Sequence, residues 1–123
     1  MEFNIIELTA TLKAGIAMVN ADGKVMEEEL KVLNLGMLEF GVSQEQYKQL
    51  LELGQAMSTA TMFSTLSAMN DSQKKFVCGY LASIMVSDGD IDDTEVKLWK
   101  LTSTLAGFPT MSIAEACAYW SNH

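Results

Sequence analysis

Apolar residues return at three- and four-residue spacing through most of the chain, which lines one face of an α-helix. Ile5, Leu8, Leu12, Ile16 and Val19 predict a helix over about residues 3–19. The loop Asn20-Ala21-Asp22-Gly23-Lys24 interrupts it. Leu30, Leu33, Met37 and Leu38 then carry a second helix over about 26–40, stopped by Gly41. Ser43-Gln44-Glu45-Gln46 has the form of a capping box. It opens a third helix that Tyr47, Leu50, Leu51 and Leu53 extend to about Met57. The Ser, Thr, Ala and Met-rich stretch 58–69 predicts a short fourth helix, and Asn70-Asp71-Ser72 is a polar break and a helix start. Phe76, Val77, Tyr80, Leu81, Ile84 and Met85 mark a fifth over about 72–86, broken by Ser87-Asp88-Gly89-Asp90. A sixth runs from Asp92-Asp93-Thr94-Glu95 to about Leu105, with Val96, Leu98, Trp99, Leu101 and Leu105 inward. Gly107-Phe108-Pro109 ends it, and Ser112-Ile113-Ala114-Glu115 opens a last helix carrying Ala116, Tyr119 and Trp120. No useful length alternates as a half-buried strand does. The expected fold is all-α: a compact bundle of about seven helices forming a single domain over residues 1–123.

The pattern repeats. Residues 22–42 align without a gap on residues 88–108, with six identities over 21 positions. Asp22-Gly23 falls on Asp88-Gly89, Glu29 on Glu95, Lys31 on Lys97, Leu35 on Leu101 and Gly41 on Gly107. This predicts two diverged helix–loop–helix units, about 5–42 and 71–108. A single unit cannot bury its own apolar face, so the two are expected to pack face to face. A pseudo-twofold arrangement would bring both Asp-Gly loops near one another.

Much in those loops is structural. Glycine after aspartate permits positive φ and a sharp reversal. Val25 and Ile91 are expected to anchor the loops in the core. Asp92 is placed to accept a backbone hydrogen bond at the next helix start, with Glu95 completing the box. Asp88 and Asp90 are left without such a role. Together with Asp92 and Glu95 they gather carboxylates, the ligands that hard cations such as calcium, magnesium or manganese prefer. The first loop keeps Asp22 and Glu29 but has Lys24 and Met26 where the second has Asp90 and Asp92. The candidate metal ligands are thus Asp22, Glu29, Asp88, Asp90, Asp92 and Glu95, with the second loop the stronger. An EF-hand does not fit: from Asp88 the glycine is second and the glutamate eighth, and Trp99 stands at the twelfth position.

Charge narrows the partners. The formal net charge is -8, from 16 acidic and 8 basic residues. Phosphate backbones and anionic membranes repel such a chain, which leaves cations and proteins as partners. No apolar run is long enough for a membrane span and no signal-peptide pattern is evident, so the expected location is the cytoplasm. Cys78 and Cys117 lie far apart in apolar segments and suggest neither a disulfide framework nor a zinc site.

Val19-Asn20-Ala21-Asp22-Gly23-Lys24-Val25 with Glu29, and Met85-Val86-Ser87-Asp88-Gly89-Asp90-Ile91 with Glu95, resemble the repeated motif of the TerB-like family. That family includes tellurite-resistance proteins and the N-terminal part of a membrane-anchored DnaJ-type co-chaperone. The resemblance covers about residues 3–120. It implies an all-helical bacterial domain tied to stress and toxic-oxyanion responses, with acidic positions proposed to bind divalent metal and no established enzymatic activity. Asp22, Glu29, Asp88 and Glu95 match its acidic pattern. Nothing in the sequence points to tellurite itself.

No catalytic residues are assigned. The single histidine is His123, a poor candidate base, and phosphate-cradling glycine motifs are absent. A carboxylate-only metal hydrolase would need a substrate-orienting basic or polar cluster, and none stands out. The alternative to cation binding is a pure protein-interaction module, its groove lined by Met57, Met62 and Met69 while the Asp-Gly loops serve only as turns. The same methionines also fit an ordinary core.

Overall fold

The computed structural model describes residues 2–21, 23, 26–87, 89 and 91–122. Among them run seven α-helices and no strand: α1 Ile5–Val19, α2 Glu27–Glu39, α3 Gln44–Ala56, α4 Thr59–Ser67, α5 Asp71–Val86, α6 Asp93–Leu105 and α7 Ile113–Ser121. Local chemistry sets the starts. Asn4, Ser43, Asn70 and Ser112 each close a capping box with the Glu or Gln three residues on, and Ser58 caps α4. Gly41 and Gly107 end α2 and α6 with φ of 82° and 66°. At both ends a Schellman pair forms. Gly41 N–H donates to Leu38 O and Val42 N–H to Met37 O, and Gly107 and Phe108 do the same to Thr104 and Ser103.

α1 and α5 are the central pair. α3 and α4 cover α1, α7 packs most extensively on α5, and α2 and α6 each touch both central helices. Gln73 Nε2 donates to Glu7 Oε1 at 3.4 Å near the two helix starts. Further along, a Cβ on Gly15 would lie 3.4 Å from Ile84 and 3.5 Å from Tyr80. Contacts in that order mean that α1 and α5 run side by side in the same direction. Their C-terminal ends, and hence Asn20 and Ser87 where the two Asp-Gly segments begin, lie at the same end of the pair.

Burial follows a narrower stripe than periodicity predicts. All six residues expected to face inward on α5 are buried. Ile5, Leu30, Leu38, Leu53, Leu101 and Leu105, expected inward as well, are exposed. α2 and α6 are outer helices, and each buries only a strip: Glu29, Leu33, Gly36 and Met37 on α2, and Glu95, Trp99 and Thr102 on α6. Leucines to either side of the strip meet solvent. An aromatic group of Phe3, Phe40, Phe76, Tyr80 and Trp120 closes the side where α2, α5 and α7 meet.

Candidate functional site

The end where α1 and α5 terminate holds three of the candidate acidic residues, Glu29, Asp92 and Glu95. α2 and α6 start there, and each carries a glutamate at its third position, Glu29 and Glu95. Each stands one turn ahead of the helix's main anchor, Leu33 or Trp99, on the same face. The anchors are buried, so the glutamates are drawn inward with them, to 1% and 3% exposure. Glu27 and Glu28, beside Glu29 in sequence, remain exposed. The amides of a helix start favour negative charge at this depth. Exclusion from water still costs a carboxylate several kcal/mol, on the order of what one ion pair, coordinated cation or bound proton must offset.

Asp92 caps α6. Its Oδ1 accepts from Thr94 N–H at 2.8 Å and from Glu95 N–H at 3.4 Å. Asp92 thus takes the capping place expected of it, with Glu95 buried at the third position behind it. Met26 precedes α2 as Asp92 precedes α6, but it is exposed and gives no side-chain cap. Gly23 and Gly89 take φ of 77° and 83°, the left-handed geometry expected of the turns. Ile91 does not anchor its loop in the core, since it is 53% exposed. The candidate ligands Asp22, Asp88 and Asp90, with Lys24, Val25 and His123, lie outside the described residues. Among the described residues, no three His, Cys, Asp or Glu side chains converge on a metal-holding arrangement.

A second feature lies on the flank. An apolar groove of about 530 Å³ runs between α1, α3, α4 and α6, walled by Ile16, Leu51, Phe63, Leu98 and Leu101. Methionine does not dominate it. Met62 is a buried part of its lining, Met69 is in the core and Met57 packs against the core. Lys13 reaches across the floor and donates to Gly54 O at 2.9 Å. The wide apolar stripe on α6 was the sequence signal for this groove, although the residues alone assign that width to the core.

Cys78 and Cys117 are free thiols. Burial pushes Cys78 up to about 11 and raises Cys117 as well, which makes both poor nucleophiles. No helix among the described residues is long and apolar enough to cross a membrane.

Over residues 6–117 the sequence matches the family model of tellurite resistance protein TerB. The chain belongs to the TerB family. This TerB-family chain is also similar to a protein of unknown function from Porphyromonas gingivalis W83, known from its crystal structure. The two are 41% identical and superpose with a TM-score of 0.89, over 100% of this chain and 99% of that one. No functionally curated protein matches it.

Proposed function

We propose that this TerB-family domain is a non-catalytic module that binds a divalent cation at the end where α1 and α5 terminate, within a bacterial stress response. The observation that carries the reading is the matched burial of Glu29 and Glu95 at that end, each directly after an Asp-Gly segment. Carboxylate oxygens are the donors that calcium, magnesium and manganese take. Glu29 and Glu95 would supply the buried donors, and Asp22, Asp88 and Asp90 the donors from the loops, with Asp92 at the margin. The first unit, with Lys24 and Met26, would hold its ion less tightly than the second. A bound ion would tie the start of α2 or α6 to the end of the helix before it, so its effect would be on shape and stability rather than on a bond in a substrate.

The same matched positions support reading the two units as copies of one ancestor. Asn4 and Asn70, Gly23 and Gly89, Glu29 and Glu95, and Gly41 and Gly107 all stand 66 residues apart and fill like roles. A binding role without catalysis accords with the suppressed thiols and with a lone histidine, His123, far along the chain from the acidic loops.

Thermal unfolding of metal-stripped protein, with and without calcium, magnesium, manganese and zinc, tests the proposal. An ion held by the native state alone, at a hundredfold over its dissociation constant, stabilises by about 2.7 kcal/mol. Glu95→Gln and Asp88→Ala are expected to abolish that gain. The absence of a shift with any ion would sink the proposal.

A further inference from the structure

We infer that the groove between α1, α3, α4 and α6 is a binding site for a carboxylate carrying a single aliphatic chain, a medium-chain fatty acid by chemical class. The groove encloses about 530 Å³, the size of a small-ligand site, and its lining is mostly apolar. Apart from the buried Thr102, its polar side chains gather where α3 hands over to α4. Gln55 and Thr59 flank that turn, and Lys13 is tied to it through the 2.9 Å hydrogen bond from Nζ to Gly54 O. An ammonium has three N–H donors, so Lys13 keeps two for the oxygens of a ligand. Ile16, Phe63, Leu98 and Leu101 offer apolar wall to a chain, and Leu101 is still 54% exposed.

Charge selects the head of the ligand. The chain as a whole is at -8, yet among the described residues no acidic side chain lines the groove, and Lys13 is the one charged group there. Thr59 opens α4, and the start of a helix favours negative charge. A cationic amphiphile would meet repulsion from Lys13. An uncharged chain would fill the walls and leave the ammonium without a counter-charge. A multiply charged head would have to work against the field of the whole protein. One carboxylate on one chain satisfies both the cation and the apolar wall.

Isothermal titration calorimetry of the full chain with decanoate, octanoate and 1-octanol tests the site. Ligands are kept below micelle formation, and a chelator is present so that no divalent ion bridges a carboxylate to the acidic end. Saturable decanoate binding with a dissociation constant below about 100 μM is expected. Octanoate, with two fewer methylenes to bury, should bind roughly tenfold more weakly. Lys13→Gln should weaken decanoate about tenfold and leave 1-octanol unchanged. Ala17 lines the groove from an exposed position. Ala17→Phe should therefore keep the fold by circular dichroism while blocking decanoate and 1-octanol alike. Absence of saturable decanoate binding overturns the proposal. So does decanoate binding that either variant leaves unchanged, binding indifferent to chain length, or 1-octanol binding as tightly as octanoate.

Discussion

Gly36 and Tyr80 show how much depends on single side chains here. A Cβ at Gly36 would fall 2.1 Å from Tyr80 Cε1, deep in the contact between α2 and α5. Gly36→Ala is therefore expected to destabilise by about 1–3 kcal/mol, the usual cost of overpacking, read by urea denaturation. The Tyr80 hydroxyl donates to Leu33 O at 2.7 Å inside the core. Tyr80→Phe should lose about 1 kcal/mol and leave that carbonyl short of a donor. Burial holds the Tyr80 phenol well above its ordinary value of 10.0 and raises Cys78 from 9.0 to about 11. Both groups stay protonated in the fold at pH values where the unfolded chain has lost the proton. Their contribution is complete below the unfolded values and is lost as pH rises, from 9.0 for Cys78 and from 10.0 for Tyr80. The melting temperature should fall over that range, and less steeply in Cys78→Ala.

At the scale of the helix, ends and close approaches matter most. Asn4 and Asn70 each close a capping box at the start of a central helix, so Asn4→Ala and Asn70→Ala should each cost about 1 kcal/mol. α7 depends on one glycine. A Cβ on Gly79 would lie 2.5 Å from the Ala116 carbonyl oxygen and 2.9 Å from Trp120 Cβ, and backbone cannot step aside as a flexible side chain can. Gly79→Ala should push α7 off α5, seen as loss of amide exchange protection over Ile113–Ser121 before the rest of the domain opens. The helices themselves were readable from the chain, because caps, glycine stops and apolar spacing are local signals. Which leucines each helix buries was not readable. Leu38 and Leu101 sit at helical spacing with buried neighbours, yet α2 and α6 are covered on one side only.

For the molecule as a whole, the excess of acid is the dominant long-range term. A chain at -8 repels itself, so sodium chloride should raise its melting temperature gradually from about 10 mM to about 1 M as the Debye length shrinks. A divalent ion at the α1 and α5 ends should act at far lower concentration and saturate. Differential scanning calorimetry with both series separates general screening from a site, and identical dependence on ionic strength alone would count against the site. The parallel course of α1 and α5 gives both predictions a location, because it sends both Asp-Gly segments out from one end of the pair.

Much of this was legible in the residues: the seven helices found among the described ones, their capped starts, and glycines at positive φ where turns were expected. Each of these depends on chemistry within a few residues of chain. The tertiary structure decided what depends on distant neighbours. It drew Glu29 and Glu95 out of water because Leu33 and Trp99, one turn on, seat against the central helices. It left Ile91 exposed and turned part of the α6 stripe into the wall of a groove. Periodicity gives a helix its apolar side, but only the elements packed against that side determine how wide a strip is buried.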